Sequence, residues 1–243
     1  MTPPRSSTSR PERRDRRGPP EIHLASPPKK DGVLYVVNQG TNTVTLIDVL
    51  APPAAELNQI ELPGRGGAGL TLVGDQLYVT SFGGESSANG FLTIIDTTTG
   101  QAGDPPIDVG VRPGAVVAAN GKVYVVNTGD SSISVLEDGV VVDTIVTDID
   151  AAAAPLYSVT AGPPDGTTLV IGTLGLLGSP DATYPVLIID TATDEVVHTV
   201  LDGPRLFWIE YAPDGTLYAS GGVDENSAAA LFLFELLSPD ITL

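Results

Sequence analysis

Residues 31–49, "DGVLYVVNQGTNTVTLIDV", decide the fold because their pattern recurs along the chain. An Asp-Gly turn leads into a short apolar strand with Tyr and Asn, then a polar loop, then a second apolar strand that ends in Asp. Similar stretches follow as "DQLYVTSFGGESSANGFLTIID" (75–96), "GKVYVVNTGDSSISVLE" (121–137) and "DGTLYASGGVDENSAAALFLFE" (214–235). Such self-similarity indicates structural units that stack on one another to bury a shared core.

The period of the repeat predicts one four-stranded sheet per unit. The second residues of the "LYVVN"-like runs lie 43, 46, 46 and 48 residues apart, at Tyr35, Tyr78, Tyr124, Val170 and Tyr218. Asn-Gly and Asp-Gly pairs mark tight hairpins, since both residues accept positive φ. The second strand of each unit is apolar at consecutive positions, which indicates burial on both faces between neighbouring sheets. We therefore predict an all-β fold, a β-propeller of five four-stranded blades of about 45 residues.

The predicted boundaries divide the chain into a tail and one domain. Residues 1–21 are rich in Pro, Ser and Arg without a hydrophobic period, which predicts a disordered basic tail. The first strand of the first unit is predicted at residues 22–26, so the propeller is expected to span 22–243. An acidic residue closes each third strand, and we predict that these residues cap turns rather than form a metal ring: Asp48, Asp96, Glu137, Asp190 and Glu235.

Three segments carry a resemblance to a known repeat. "LYVVNQGTNTVTLIDV", "VYVVNTGDSSISVLEDG" and "LIIDTATDEVVHTV" resemble the YVTN-type β-propeller repeat, and the resemblance covers about residues 30–243. It implies a propeller, commonly with seven blades in that family. The five units counted here leave open a five-bladed ring, a truncated or open array, and a shortened chain that needs partners. The resemblance also permits a lactonase-like or other hydrolase in the central channel, because propellers host such activities.

Charge is distributed unequally along the chain. Residues 1–30 hold eight of the 12 basic residues, whereas the remainder has four basic residues against 27 acidic ones. Such a body repels nucleic acid and anionic membranes. No apolar stretch approaches the roughly 20 residues of a membrane helix, and the N-terminal arginines are not followed by the apolar run of a signal peptide. The acidic composition favours an extracytoplasmic or cell-surface location, and the absence of cysteine excludes disulfides.

Three of the four basic residues after position 30 occupy the same place in the repeat. They lie in the junctions between units, "LPGRGGAG" (62–69), "VGVRPGAV" (109–116) and "DGPRLFW" (202–208), as Arg65, Arg112 and Arg205. Stacked blades are expected to bring them to one end of the channel, where guanidiniums suit a carboxylate or phosphate. The alternative is that each one binds backbone carbonyls or an Asp of the next blade. Trp208, the only tryptophan, is expected either to stack on a planar ligand or to pack in the core.

Other chemistry finds little support in the sequence. There is no GxSxG, HExxH or Walker motif, and His23 and His198 are the only imidazoles. Acidic residues in the loops between second and third strands predict a solvated rim rather than a calcium site. We predict no catalytic residue, no metal and no cofactor. The predicted function is a non-catalytic binding or interaction platform for a small anionic ligand or a protein, with a channel hydrolase and a structural cell-surface repeat protein as alternatives.

Overall fold

The computed structural model describes residues 29–83, 88–162, 166–174, 184–200, 205–211, 216–222 and 230–234. Within these ranges the chain forms twenty β-strands in five antiparallel sheets, which confirms the all-β fold and the five predicted blades. No helix in this part of the chain is long and apolar enough to cross a membrane. The predicted tail at 1–21 and the predicted strand at 22–26 lie outside the described residues.

Strands succeed one another in space in the order in which they occur in the sequence. Blade 1 contains β1 (Lys29–Lys30), β2 (Val33–Asn38), β3 (Thr43–Asp48) and β4 (Ala55–Glu61). Blade 2 contains β5 (Arg65–Val73), β6 (Gln76–Phe82), β7 (Asn89–Asp96), and an outer strand in two pieces, β8 (Gln101–Ala102) and β9 (Ile107–Val111), which both pair with β7. Blade 3 contains β10 (Pro113–Ala119), β11 (Lys122–Asn127), β12 (Ser132–Glu137) and β13 (Val140–Val146).

The last two blades repeat this order. Blade 4 contains β14 (Leu156–Ala161), β15 (Thr168–Thr173), β16 (Val186–Asp190) and β17 (Glu195–Val200). Blade 5 contains, in its described part, β18 (Arg205–Tyr211), β19 (Leu217–Gly222) and β20 (Ala230–Phe234). The fourth strand predicted for this blade, at 241–243, lies outside the described residues. In blade 1 the strand that pairs with β2 immediately precedes the Asp-Gly turn.

The first hairpins of blades 1 and 3 have the predicted turn chemistry. Asp31 and Gly32 have φ of 51° and 81°, and Asn120 and Gly121 have φ of 48° and 78°. Two consecutive positive φ values are those of a type I′ turn, whose twist matches that of the flanking strands. The local sequence therefore determines where each blade begins its second strand.

The core lies between the sheets, and successive residues of one strand face different neighbours. In β6, Leu77 and Val79 pack with Tyr35 of blade 1. Tyr78, between them, packs on the opposite face with Val125 of blade 3. Because side chains alternate along a strand, the consecutive apolar residues of the second strands serve two interfaces. This confirms the prediction of burial on both faces.

The hydroxyl of the repeated tyrosine links blade 1 to blade 2 and blade 3 to blade 4. Tyr35 is hydrogen-bonded to Thr97, which lies in the turn after the third strand of blade 2. The Tyr124 hydroxyl donates to Asp194 Oδ1 at 2.7 Å, in the corresponding turn of blade 4. Lys122 Nζ lies 2.6 Å from the other carboxylate oxygen of Asp194. The Tyr of the repeat is thus a structural contact between blades.

Side chains of the repeat also fix the turns and strand pairs within each blade. Asp48, Asp96 and Asp190 each accept a hydrogen bond from the amide two residues further on, at 2.8, 2.7 and 2.8 Å. For these three residues the predicted capping role is confirmed. The buried Asn127 donates to Ser132 Oγ at 2.9 Å and to Ser134 Oγ at 3.0 Å. The "YVVN" residues therefore build the blade, and a ligand site has to be sought elsewhere.

Candidate ligand site at the channel mouth

The first strands of blades 2 to 5 lie around a common channel. The strands β5 and β10 come close together, since a methyl group built on Gly69 would lie 2.5 Å from the carbonyl oxygen of Gly114. The hydroxyl of Thr80 bridges the same two strands, since it contacts Gly69 and donates to Gly114 O at 2.6 Å. Small residues here let the backbones approach, so the channel wall is formed largely by backbone and apolar side chains.

A cavity of about 630 Å³ opens at one end of this channel. Its volume lies in the range of about 300–1,000 Å³ that is typical of small-molecule sites. Residues of all five blades line it, and three aromatic residues and one cation stand out among them: Phe82, Tyr157, Trp208 and Arg112. Within the described part of the chain, Arg112 is the only charged residue of the lining. The mouth therefore combines apolar surface with a single positive charge.

The backbone around Arg112 holds its side chain at the mouth. Arg112 connects β9 to β10 with a φ of 51°, a conformation that is uncommon for a residue other than glycine. Its carbonyl accepts from Thr128 N at 3.1 Å, and the preceding amide, Val111 N, donates to Asp130 Oδ2 at 2.8 Å. The junction is thus hydrogen-bonded to the loop between β11 and β12. Asp130, one of the acidic residues of these loops, makes one of the bonds.

The guanidinium of Arg112 lies over an aromatic ring of the preceding blade. Its central carbon is 5.5 Å from the centroid of Phe82, the last residue of β6. This cation–π contact restricts the orientation of an otherwise exposed side chain. Among the described residues the guanidinium has no hydrogen-bond acceptor and no carboxylate partner. No described residue uses any of its five donors.

Blades 4 and 5 supply further open donors to the same cavity. Trp208 is half-buried in β18, and its indole N–H has no acceptor among the described residues. Ser158 is buried in β14, and its hydroxyl has no hydrogen-bond partner in the part of the chain that the structure describes. Tyr157, beside it, is exposed to 44% and presents its ring at the mouth. A buried hydroxyl without a partner is uncommon and indicates a place that a ligand or water completes.

The four residues predicted for this site have different positions. Arg112 and Trp208 line the same cavity. Arg65 is exposed at the start of β5, paired with Phe82 in the backbone register, and is not among the described residues that line the cavity. Arg205 begins β18, where its backbone pairs with Gly222, and its side chain lies outside the described part of the structure.

Three lining residues were missed in the sequence. Phe82 ends a second strand, and Tyr157 and Ser158 follow the one junction that has no arginine, "DIDAAAAPLYSV" (148–159). That junction offered a signal, because the place of the missing arginine is followed by an aromatic and a polar residue. Phe82 offered none, since only the packing of blade 2 against blade 3 brings it under Arg112.

Among the described residues there is no group of three or more His, Asp or Glu side chains able to hold a metal ion. Of the two histidines, His198 lies on the outer strand β17, where it pairs with Ile188. His23 lies outside the described residues.

Comparison with solved structures identifies the fold. The chain aligns with the β-propeller domain of Cps50 (Swd1) from Myceliophteria thermophila at a TM-score of 0.61 and 12% identity, over 87% of this chain and 65% of that one. The chain folds as a β-propeller. It also aligns with hydrazine synthase from Kuenenia stuttgartiensis at a TM-score of 0.66 and 24% identity, over 80% of this chain and 54% of that one. A protein of unknown function from Desulfotomaculum acetoxidans gives 0.62 and 14%, over 85% and 63%.

These similarities establish the fold and do not establish a function. The propeller spans 54% to 65% of the length of the three solved chains. No protein-family model matches the sequence, and no curated protein matches it. The YVTN repeat type therefore stays a resemblance.

Proposed function

We propose that this propeller is a non-catalytic binding protein that holds a small carboxylate-bearing ligand with a flat apolar part at the channel mouth. The observation that carries the proposal is the guanidinium of Arg112, which rests on Phe82 and has no acceptor among the described residues. The described lining of the cavity beside it contains no carboxylate. A planar guanidinium binds a carboxylate through two parallel hydrogen bonds. An anion would thus occupy donors that the described residues leave open.

The remaining walls suit the apolar part of such a ligand. Trp208 and Tyr157 offer aromatic surface, and Leu70 and Val159 offer aliphatic surface, in the same cavity. Aromatic faces stack on planar groups. The hydroxyl of Ser158 and the indole N–H of Trp208 would add donors to the ligand's polar end or to a bridging water.

Isothermal titration with phenylacetate and its neutral isostere phenylacetamide tests this function. We expect the anion to bind and the amide to bind at least tenfold more weakly, because a hydrogen bond to a charged group is worth about 1.5–3 kcal/mol. Trp208 fluorescence gives a second readout at the site itself, since the chain has a single Trp. Equal affinity for the two compounds would contradict the proposal.

Two arginine variants provide the matched comparison. Arg112→Gln should lower the phenylacetate affinity by about 10- to 150-fold. Arg65→Gln removes the same charge from the equivalent junction and should leave the affinity unchanged, because Arg65 does not line the cavity. If Arg112→Gln folds with the wild-type melting temperature and retains wild-type affinity, Arg112 is not the anion-binding group.

The hydrolase alternative makes a different prediction for the same sample. A channel hydrolase would turn over a simple lactone or aryl ester and would accumulate a carboxylate product. A binding protein releases its ligand unchanged. Incubation of the protein with dihydrocoumarin, followed by measurement of the ring-opened acid against a protein-free blank, separates the two.

A further inference from the structure

A second cavity continues the channel inward from the mouth. Its volume is about 610 Å³, and it shares five wall residues with the mouth, namely Leu70, Val116, Val159, Trp208 and Ile209. Its own lining includes Thr71, Thr160, Tyr211 and the carboxylate of Glu210. The first strands of blades 2 to 5 carry all of these residues. The inner part of the channel therefore carries a carboxylate, which the described lining of the mouth lacks.

Glu210 lines the inner cavity without a partner among the described residues. It is half-buried in β18, opposite Tyr218 in the backbone register, and makes no hydrogen bond or ion pair with any described residue. Lys29 lines the same cavity, but it is exposed and forms no ion pair with Glu210. Burial raises the pKa of Glu210, and no neighbouring charge contributes to the shift. Removing a carboxylate from water without a partner is costly.

The surroundings of Glu210 select the kind of partner that would relieve this cost. A divalent metal ion requires several oxygen ligands, and the described lining provides one carboxylate with two threonine hydroxyls. An organic ammonium needs one counter-ion, hydroxyl acceptors and an apolar wall for its carbon chain. Leu70, Val117 and Val159 supply the wall, and the indole of Trp208 is a surface on which a cation binds favourably.

We propose that the inner cavity binds the ammonium group of a small primary amine, with Glu210 as its counter-ion, the hydroxyls of Thr71 and Thr160 as acceptors and Trp208 as its aromatic wall. This site is independent of Arg112. Its occupant has an aliphatic stem that packs on the channel wall and a positive charge that the mouth would repel.

Titration with n-butylamine and with its neutral counterpart n-butanol tests the proposal, read by calorimetry and by Trp208 fluorescence. We expect butylamine to bind and butanol to bind at least tenfold more weakly. Glu210→Gln keeps the shape of the side chain and removes its charge, so it should lose at least tenfold in butylamine affinity. Glu61→Gln changes an exposed residue at the end of β4 and should leave the affinity as in the wild type.

The Arg112→Gln variant separates this proposal from the function proposed for the mouth. It should lose phenylacetate binding and keep butylamine binding. Absence of butylamine binding to the wild type, equal binding of butanol, or full binding by a folded Glu210→Gln variant would each overturn the amine site. None of these results bears on whether Arg112 binds an anion.

Discussion

Removal of one hydroxyl, in Tyr124→Phe, tests whether the contacts between blades contribute to stability as the geometry indicates. Tyr124 is fully buried, and its hydroxyl donates to Asp194 of the next blade at 2.7 Å. Asp194 also binds Lys122, and the two side chains are exposed to only 12% and 15%. Burial and then Asp194 raise the pKa of Tyr124, so the phenol stays a donor across the neutral and alkaline range.

The expected loss follows from these contacts. A hydrogen bond to a charged group contributes about 1.5–3 kcal/mol. Because Asp194 keeps Lys122 as a partner in the variant, we expect about 2 kcal/mol, in the lower half of that range. For a chain of this size that corresponds to a melting temperature lower by roughly 4–8 °C.

The matched control is Tyr78→Phe, one blade earlier. Tyr78 donates to Gln76 Oε1 of its own blade at 2.8 Å, a neutral acceptor, so its loss should be about 1 kcal/mol or less. Denaturant unfolding followed by circular dichroism gives both values. In an Asp194→Asn background, where Asn tolerates the positive φ of 58°, Tyr124→Phe should cost clearly less. A loss no larger than that of Tyr78→Phe, or strict additivity with Asp194→Asn, would refute the argument.

Three further variants test other parts of the fold. Glu210→Gln should raise the melting temperature at pH 7 but not near pH 4. Burial raises the pKa of Glu210 in the folded state, so the folded protein loses stability as the pH rises through that pKa and the carboxyl ionises. The neutral Gln side chain avoids this loss. A pH series of thermal scans checks this prediction. Lys29 and Tyr211 are the other titratable groups in the described lining of the cavity. A gain in melting temperature at pH 4 as large as that at pH 7 would contradict the prediction. Gly69→Ala should lower stability by about 1–3 kcal/mol, because its methyl group would meet the backbone of Gly114, whereas Gly40→Ala, with open space around it, should be neutral in the same thermal scans. Asn127→Ala should cost about 1–3 kcal/mol by leaving two buried serine hydroxyls without their donor, and denaturant unfolding that shows no loss would exclude this role.

The blades could be predicted from the sequence because their determinants are local. Asp31-Gly32 and Asn120-Gly121 require the backbone that they adopt, and each turn fixes the strand that follows it. The repeat period then gave the number of sheets. The predicted first strand at 22–26 lies outside the described residues, and directly before the first turn the structure places the short strand Lys29–Lys30.

The site was predictable only in part because side-chain direction depends on strand irregularities. Arg65 and Arg112 hold equivalent places in the sequence, yet β5 has two register shifts, between Arg65 and Gly67 and between Gly67 and Leu70, whereas β10 has one. A bulge re-aims the side chains around it, so equal spacing did not guarantee convergence. Phe82 and Glu210 join the channel through the packing of one blade on another, which no local pattern encodes.

The contact from Tyr124 to Asp194 has a direction, and this direction bears on how such a chain changes length in evolution. Tyr124 belongs to the second strand of blade 3 and its acceptor to a turn of blade 4, so each of the two blades contributes one partner of this contact. A duplicated repeat inserted after its parent therefore meets both neighbours with interfaces that already exist. Whole blades can be gained or lost by recombination without the invention of a new contact, and the channel widens or narrows as their number changes.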